Sequence, residues 1–509
     1  MNAETLAHHM ERPVGRGHVP EDGCTGAAGG AACGDLIRVS VAVDRRSPDA
    51  RIAEAGFDAS GCGAAIAAGS ATVELLRGAS LLEAARVGAQ EIAAELGGLS
   101  PSKLHAAELA ADALHRALGW AARERATLAP SRARALVAMS GGVDSAVAAL
   151  LVSEAGGETV GVTLELWSDP ENDGERSCCS AQAVRSAREL AHGMGLAHFS
   201  IDLREEFRAG VVDGWLADHA AGLTPNPCVR CNGNVRLDAM LDLAERLGAQ
   251  TLATGHYARV SHEDGIPTAL GAPIASAGDP CREPLLRMAV DESKDQSYAL
   301  AALSPRSLSR LRFPLGALTK PEVRERAERA GLEVARRPDS QDLCFLAGTR
   351  SVDFLARHGG VGRREGAIVD RDGHTLGEHG GVHTVTVGQR HGLGIGGGEP
   401  LYVISTDARA NTVTVGSREQ LRTGSVNVRD VTLHRDGEDV DAVKVRYRGR
   451  RMPCRVEGSP LAGSHKRVEV RMLSPIERTA PGQVACLYAG DVIVGHGTIA
   501  LGIDASPGA

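Results

Sequence analysis

"ALVAMSGGVDSAVAALLVSEAG", residues Ala135–Gly156, decides the fold of the middle of this chain. The residues up to Ser140 read as a buried strand and Ala146–Gly156 as a helix, with only "SGGVDS" at the junction. Two glycines let the backbone approach an anion, and the helix beyond offers unpaired N–H groups and the positive end of its dipole. No Gly-Lys-Ser/Thr follows, so this is not a Walker A loop. The carboxylate of Asp144 points to a Mg²⁺-assisted nucleotide site. The plainer alternative, a Gly-rich turn capping a helix, does not account for strand, loop and helix falling in this order.

Working outward, "TVGVTLELW" (Thr159–Trp167), "AHFSIDL" (Ala197–Leu203) and "TLATGHYARV" (Thr251–Val260) read as further buried strands. Between them, "AQAVRSARELAHGMG" and "NVRLDAMLDLAERLG" carry apolar residues at helical spacing. This alternation predicts a doubly wound, mostly parallel sheet with its ligand site at the carboxyl ends of the strands. Upstream, "AARERATLAPSRARA" (Ala121–Ala135) reads as a linker. Before it come a strand, "LIRVSVAV", and helical stretches, "SLLEAARVGAQEIAAEL" and "KLHAAELAADALHRAL". From about Gly360 the chain turns Gly-rich, and "HTVTV", "TVTVG" and "KRVEVRM" predict an all-β half built of small barrels.

The 509 residues exceed a single core and carry a net charge of −8, which argues against indiscriminate nucleic-acid binding. No run approaches the roughly 20 apolar residues of a membrane span. The N-terminus lacks the pattern of a signal peptide, so a cytoplasmic location and no membrane partner are expected. Eleven cysteines in such a chain point to catalysis or metal rather than disulfides. The pair in "TPNPCVRCN" (Thr224–Asn232) is open to three readings: metal, redox cycling or a nucleophilic thiolate. One basic stretch, "KVRYRGRRMPCRVEG" (Lys444–Gly458), has six positive side chains against Glu457. It is a solvated strand face unless an RNA is called for.

"SGGVDS" after a first strand resembles the PP-loop of ATP pyrophosphatases. "TPNP..CN", "ATGHYAR", "KDQSYAL", "SQDLCF", "GQRHGLGIG" and "APGQVACLY" follow in order. As a set, over Ala135–Ile503, they resemble the MnmA family of tRNA-specific 2-thiouridylases. The resemblance implies that ATP adenylates the C2 oxygen of uridine 34 and that a cysteine persulfide then supplies sulfur. A thiol that carries sulfur and a second that breaks the S–S bond suit that chemistry. It implies Cys231 as the persulfide carrier and Cys344 as its disulfide partner on turnover, with Asp144 at the adenylation step. ATP would be held by Ala138, Met139, Ser140, Gly141, Gly142, Val143, Asp144, Ser145, Leu164 and Gly255. The target base and tRNA would meet Asn226, Pro227, Cys228, His256, Lys294, Asp295, Gln296, Arg446, Tyr447 and Gln483. Implied partners are tRNA of the Glu, Gln and Lys acceptors, and a cysteine desulfurase or sulfur-relay protein. Many relatives carry Asp at position 228. With Cys228, three thiols would make an iron–sulfur cradle the rival to the persulfide. No role is assigned to Cys178 and Cys179.

Upstream, "LAHHMERPVGRG", "AACGDLIRVSVAV", "FDASGCGAAIAAGSATVELLRG" and "SPSKLHAAELAADALHRAL" resemble the NifU/IscU iron–sulfur scaffolds. Cys33, Asp35, Cys62 and His105 fall on the scaffold's ligand positions, a donor set for Zn²⁺ or iron. The third cysteine expected after His105 is Ala106, with Cys24, in a Gly-rich loop, as a substitute. An active scaffold and a degenerate docking module are equal alternatives.

The expected architecture is multidomain. An α+β scaffold-like domain (1–120) and a linker (121–134) precede an α/β PP-loop domain with a parallel sheet (135–345), which is adenine nucleotide alpha hydrolase-like. A central β domain (346–420) and a barrel-like tRNA-binding domain (421–505) follow. Two other functions compete: an iron–sulfur carrier using the PP-loop half for docking, and another PP-loop adenylating enzyme. Intact "SGGVDS", Cys231 and Cys344 disfavour the first; Arg446, Tyr447 and Gln483 disfavour the second.

Overall fold

The computed structural model describes residues 3–29, 34–169, 180–261, 283–339, 343–346, 348–396 and 399–501. Cys33, Cys178, Cys179 and residues 340–342 of "SQDLCF" lie outside them.

At the amino end β1 (Cys24–Gly29), β2 (Leu36–Val43) and β3 (Ile52–Ser60) form an antiparallel meander. Ile37, Val39 and Val41 of β2 point inward, as the alternation in "LIRVSVAV" predicts. The helix Leu104–Trp120, the scaffold helix, lies across this sheet on an Ala-rich face. Contact is so close that a Cβ on Gly26 would lie 2.1 Å from the Ala113 carbonyl. Small residues therefore do here what large ones do in most cores, consistent with 3% aromatics. Cys24 is not in a loop: it lies buried on β1 opposite Val41, at the far end of the hairpin from the Gly29–Leu36 pair. Five strand steps are about 17 Å, so it is no substitute ligand beside Asp35.

Next come β4 (Ser131–Ala138), β5 (Glu158–Glu165), β6 (Ala197–Asp202), β7 (Ala249–Ala253), β8 (Ala258–Ser261), β9 (Leu285–Met288) and β10 (Leu311–Arg312). Five of them form the expected parallel sheet, in the order β10-β7-β4-β5-β6. The order reverses at β4, so "SGGVDS" leaves the sheet at its switch point, where such folds bind ligands. "TLATGHYARV" is not one strand. It breaks at Thr254–Tyr257, and β8 pairs with β9 in a different sheet.

The β half contains β11 (Gly366–Val369), β12 (Thr375–His379), β13 (Tyr402–Asp407) and β14 (Thr412–Gly416), a four-stranded sheet ordered β12-β11-β14-β13. "HTVTV" is no strand: Val382–Thr384 is a 3-10 turn, and Val385 and Val387 fill the core beneath. Then β15 (Arg422–Leu433), β16 (Ala442–Lys444), β17 (Met452–Val456), β18 (Gly463–Glu477), β19 (Val484–Ala489) and β20 (Val492–Ile499) close into a barrel through β15–β20 pairing. The β8–β9 hairpin extends this sheet from β20, and Arg259 and Arg287 both grip Asp491 (2.8 and 2.7 Å). The barrel is thus bound to the PP-loop region.

The expected linker is a fitted connection. Ala121–Arg125 prolongs the scaffold helix, Ala126 and Leu128 are buried, and β4 already begins at Ser131. No helix among the described residues is long and apolar enough to cross a membrane.

Candidate active site

The helix Val143–Glu154, the loop helix, starts at Gly142 with no side-chain cap, so its first N–H groups face outward from the switch point. Gly141 has φ +73°, a left-handed turn that favours glycine. Ser145 Oγ accepts from the Ser140 amide (3.1 Å) and donates to the Gly142 carbonyl (3.0 Å), closing the loop on itself. Ala138, Met139, Val143 and Leu164 are buried around its base. Asp144 accepts from Lys320 Nζ (2.7 and 2.8 Å) and from the Tyr257 hydroxyl (2.9 Å). Lys320, 7% exposed, also pairs with Asp339 (2.8 Å), which Lys294 (2.8 Å) and Arg324 (2.9 Å) pair with in turn. Burial would raise the Asp339 carboxyl, but the Lys294 and Lys320 ammonium groups hold it down at about 2. Arg337 donates to the Gly141 carbonyl (3.0 Å). Four cations therefore surround the loop against two carboxylates.

Gly255 explains the break in "ATGHYAR". A Cβ there would lie 2.8 Å from the Asp144 carbonyl carbon and the Ser145 nitrogen, so only glycine lets this turn close on the loop helix. Gly255→Ala should cost about 1–3 kcal/mol of stability through overpacking. Thermal melts would show the loss.

"TPNPCVRCN" folds as a short helix, Pro227–Cys231, with Pro in its first turn and the Asn226 side chain accepting from the Cys228 amide (3.0 Å). Cys228 and Cys231 thus stand one turn apart, Cys228 half-buried and Cys231 8% exposed. Burial pushes the Cys228 thiol up, against the Arg236 guanidinium. Cys344 packs against the same large apolar cluster that contains Cys231, next in sequence to Phe345, which meets Trp215 and Phe354 edge to face. Cys228, Cys231 and Cys344 do not form a group of three ligand atoms all within 4.8 Å of one another.

The barrel clasps the approach to this helix. The Thr224 amide donates to the Pro481 carbonyl (2.8 Å), and Gln483 Nε2 donates to the Thr224 carbonyl (2.8 Å). Gln483 therefore holds the loop. Asp295, too, is internal: its side chain accepts from Ala289 and Ser297 amides and lies 3.6 Å from buried Lys444, leaving nothing to offer a bulky ligand. Gln296 accepts from the Tyr257 amide (2.9 Å). His256 bonds Thr254 through Nδ1 (2.8 Å), and burial, then Arg236, push it down to about 3, so it is neutral. Arg446 and Tyr447 are exposed, with Tyr447 against the Tyr298 ring and Arg446 donating to the Arg478 carbonyl.

At the amino end Asp35, Cys62 and His105 place their ligand atoms within 4.8 Å of one another. Asp35 accepts from the Cys62 amide (2.8 Å) and thiol (3.3 Å) and lies 3.2 Å from His105 Nε2. Burial works against the charge on Asp35, but these bonds hold its carboxyl below the usual range. Ala106 is wholly buried.

Family models match the chain end to end. A NifU-like N terminal domain covers residues 1–126, a tRNA methyl transferase HUP domain 133–348, a tRNA methyl transferase PRC-barrel domain 352–417 and an aminomethyltransferase beta-barrel domain 424–499. A bifunctional protein NifU/MnmA from Rubrobacter xylanophilus is 44% identical, covering 97% of this chain and 98% of the relative. This chain belongs to the bifunctional NifU/MnmA family. The tRNA-specific 2-thiouridylase MnmA of Geobacter metallireducens is 41% identical over 72% of this chain and 97% of its own length.

In this NifU/MnmA protein, Lys320, Asp339, Tyr257, Arg337 and Arg236 escaped the sequence reading although all border the site. A capping box at Thr319–Glu322 places Lys320 in the first turn of its helix, but nothing local says that this turn faces Asp144. The Arg236 charge acts on both Cys228 and His256, and its Nε is buried and lacks a hydrogen-bond partner among the described residues.

Proposed function

We propose that the chain adenylates the C2 oxygen of uridine 34 in tRNA with ATP, then replaces that oxygen with sulfur carried as a persulfide on Cys231. The products are 2-thiouridine, AMP and pyrophosphate. The observation that carries this reading is the Thr224 clasp: the loop bearing Cys228 and Cys231 is held to a β-barrel whose Arg446 and Tyr447 are exposed.

ATP would lie on residues 138–145, with Leu164 and Gly255 at its flanks. The open N–H groups of the loop helix and the surrounding cations suit a polyphosphate. Asp144 would hold Mg²⁺ once the nucleotide draws Lys320 toward its phosphates; a carboxylate with phosphate oxygens is a donor set Mg²⁺ takes. Mg²⁺ would offset charge on the pyrophosphate leaving group.

Adenylation makes O2 a leaving group. The terminal persulfide sulfur then bonds C2 as AMP departs with the oxygen. The Cys344 thiolate attacks Cys231 Sγ, the S–S bond to the transferred sulfur breaks, and the thiocarbonyl leaves as product. A Cys231–Cys344 disulfide results, which an external thiol reduces. Asn226, Pro227, neutral His256 and Gln296 would bound the base, and Lys294, Arg446 and Tyr447 would face tRNA of the Glu, Gln and Lys acceptors. The NifU-like site would hold Zn²⁺ or an iron–sulfur cluster on Asp35, Cys62 and His105, and a cysteine desulfurase would supply sulfur.

Purified protein, ATP, a cysteine desulfurase with cysteine, and unmodified tRNA should yield 2-thiouridine by nucleoside mass spectrometry, and none without ATP. Product formed without ATP would end this reading. Arg446→Ala should weaken tRNA binding several-fold and flatten its salt dependence by about one unit of slope. ATP affinity should be unchanged, and an unaltered salt titration for tRNA would mean that the barrel face is merely solvated.

A further inference from the structure

The NifU-like half does more than sit beside the PP-loop half. Asp112, midway along the scaffold helix, takes Arg185 by Nε and Nη2 (2.7 and 2.5 Å) and Arg188 by Nη2 (2.7 Å). Both arginines stand on the helix Ala181–Gly193, and Arg188 is 5% exposed. The same helix backs the nucleotide loop. A Cβ on Gly141 would touch the Ala183 carbonyl at 3.2 Å, and Ala187 is wholly buried with Val137 and Met139. Asp112, with Glu108 of the same helix 3.9 Å from Arg185 beside it, therefore holds the wall against which Gly141 turns.

A second connection is independent of the first. The His115 ring spans the carbonyls of Val87 (2.9 Å) and His198 (3.1 Å), and the His198 amide donates to the Ala85 carbonyl (3.0 Å). Scaffold groups thus occupy the free edge of β6. His198 Nε2 lies 2.8 Å from Thr163 Oγ1, which donates to the Met139 carbonyl (2.8 Å) at the root of "SGGVDS". Both routes run from the scaffold helix to the nucleotide loop.

We infer that Asp112 of the NifU-like domain is a positioning residue for the ATP site, acting through Arg185, Arg188 and the Ala181–Gly193 helix. The inference rests on ATP binding at that loop. A displaced wall lets Gly141 and the loop's N–H groups drift from the phosphates, and small displacements of such groups cost binding and rate steeply. Substrate contacts elsewhere, including those to tRNA, are untouched.

The test measures tRNA-dependent ATP–pyrophosphate exchange in the full chain. Asp112→Asn, which keeps the volume and loses the charge, should raise the KM for ATP about tenfold with the KM for tRNA unchanged. That change leaves Arg188 buried with less compensation, so Arg185→Gln, at a quarter-exposed residue, is the second variant and should shift the same constant. The double variant should be no worse than the more affected single one, since both break one clasp. Glu158→Gln is the control: it removes another part-buried Arg–carboxylate pair, to Arg134 (2.7 Å), at the amino end of β5 and away from the loop. An unchanged KM for ATP in both single variants, additive effects, or an equal rise in Glu158→Gln would overturn the inference. If the unmodified protein shows no exchange at all, the ATP reading itself fails instead.

Discussion

Cys231→Ser should abolish 2-thiolation, by more than about a thousandfold, while tRNA-dependent ATP–pyrophosphate exchange should persist. A hydroxyl has nearly the volume of a thiol, and Cys231 sits 8% exposed at the end of its short helix, so packing changes little. What is lost is the capacity to carry sulfane sulfur. Adenylation depends on groups of the nucleotide loop and continues. Cys344→Ser should behave differently: adenylation and attack should proceed, product release should stop, and the transferred sulfur should stay bonded to Cys231. Quenched-flow samples resolved by mass spectrometry distinguish the two. Normal thiolation by the Cys231→Ser protein would remove the persulfide from the mechanism. Cys228→Asp should retain activity, because neither step uses that thiol.

Asp144→Ala should reduce adenylation by two to three orders of magnitude, roughly the cost of removing one preorganised charged group from a phosphoryl-transfer site. The carboxylate fixes both Lys320 and Tyr257. Without it, the Lys320 ammonium keeps Asp339 and the Tyr257 ring, and the loop loses the group that would hold Mg²⁺. The side chain is 32% exposed and fills no core volume, so the loss of stability should stay near 1 kcal/mol. Circular dichroism melts check the fold, and pyrophosphate release measures the effect. Wild-type turnover at saturating ATP would contradict the PP-loop assignment.

The parallel sheet was legible because its signal is local. Strand, glycines and helix follow one another within Ala135–Gly156, and the loop forms at the switch point where that order places it. The middle strand of the antiparallel meander was legible in "LIRVSVAV" for the same reason, but its neighbours β1 and β3 were not. Failures came where an outcome depends on distant partners. "TLATGHYARV" has the composition of one strand, yet Gly255 must turn to meet the loop helix, and β8 is captured by β9 and the barrel. "HTVTV" alternates like a strand, but its valines fill a core without a ladder partner. Cys24 lay among glycines that serve close helix packing rather than a mobile loop, as Gly26 shows. At the site, thiols and glycines with distinctive local motifs were found. Lys320 and Asp339 were missed, since an ordinary lysine and aspartate acquire meaning only once folding brings them to Asp144. Asp295 and Gln483, expected to contact tRNA, are instead occupied by internal hydrogen bonds.

The scaffold domain is packed too closely against β6 to be cut away cleanly, as Asp112, His115 and the wholly buried Ala126 make plain. The central claim is therefore best tested in the full chain carrying Cys62→Ala and His105→Ala, which strip the scaffold ligands without removing the scaffold helix. This protein, prepared free of iron, is loaded with sulfur by a cysteine desulfurase, and the peptide containing Cys231 is weighed. It is then given ATP and tRNA under anaerobic conditions. The account predicts one extra sulfur on Cys231 and its ATP-dependent appearance as 2-thiouridine in tRNA with no iron present. Thiolation that appears only after a cluster is rebuilt, with no sulfur ever found on Cys231, would contradict it.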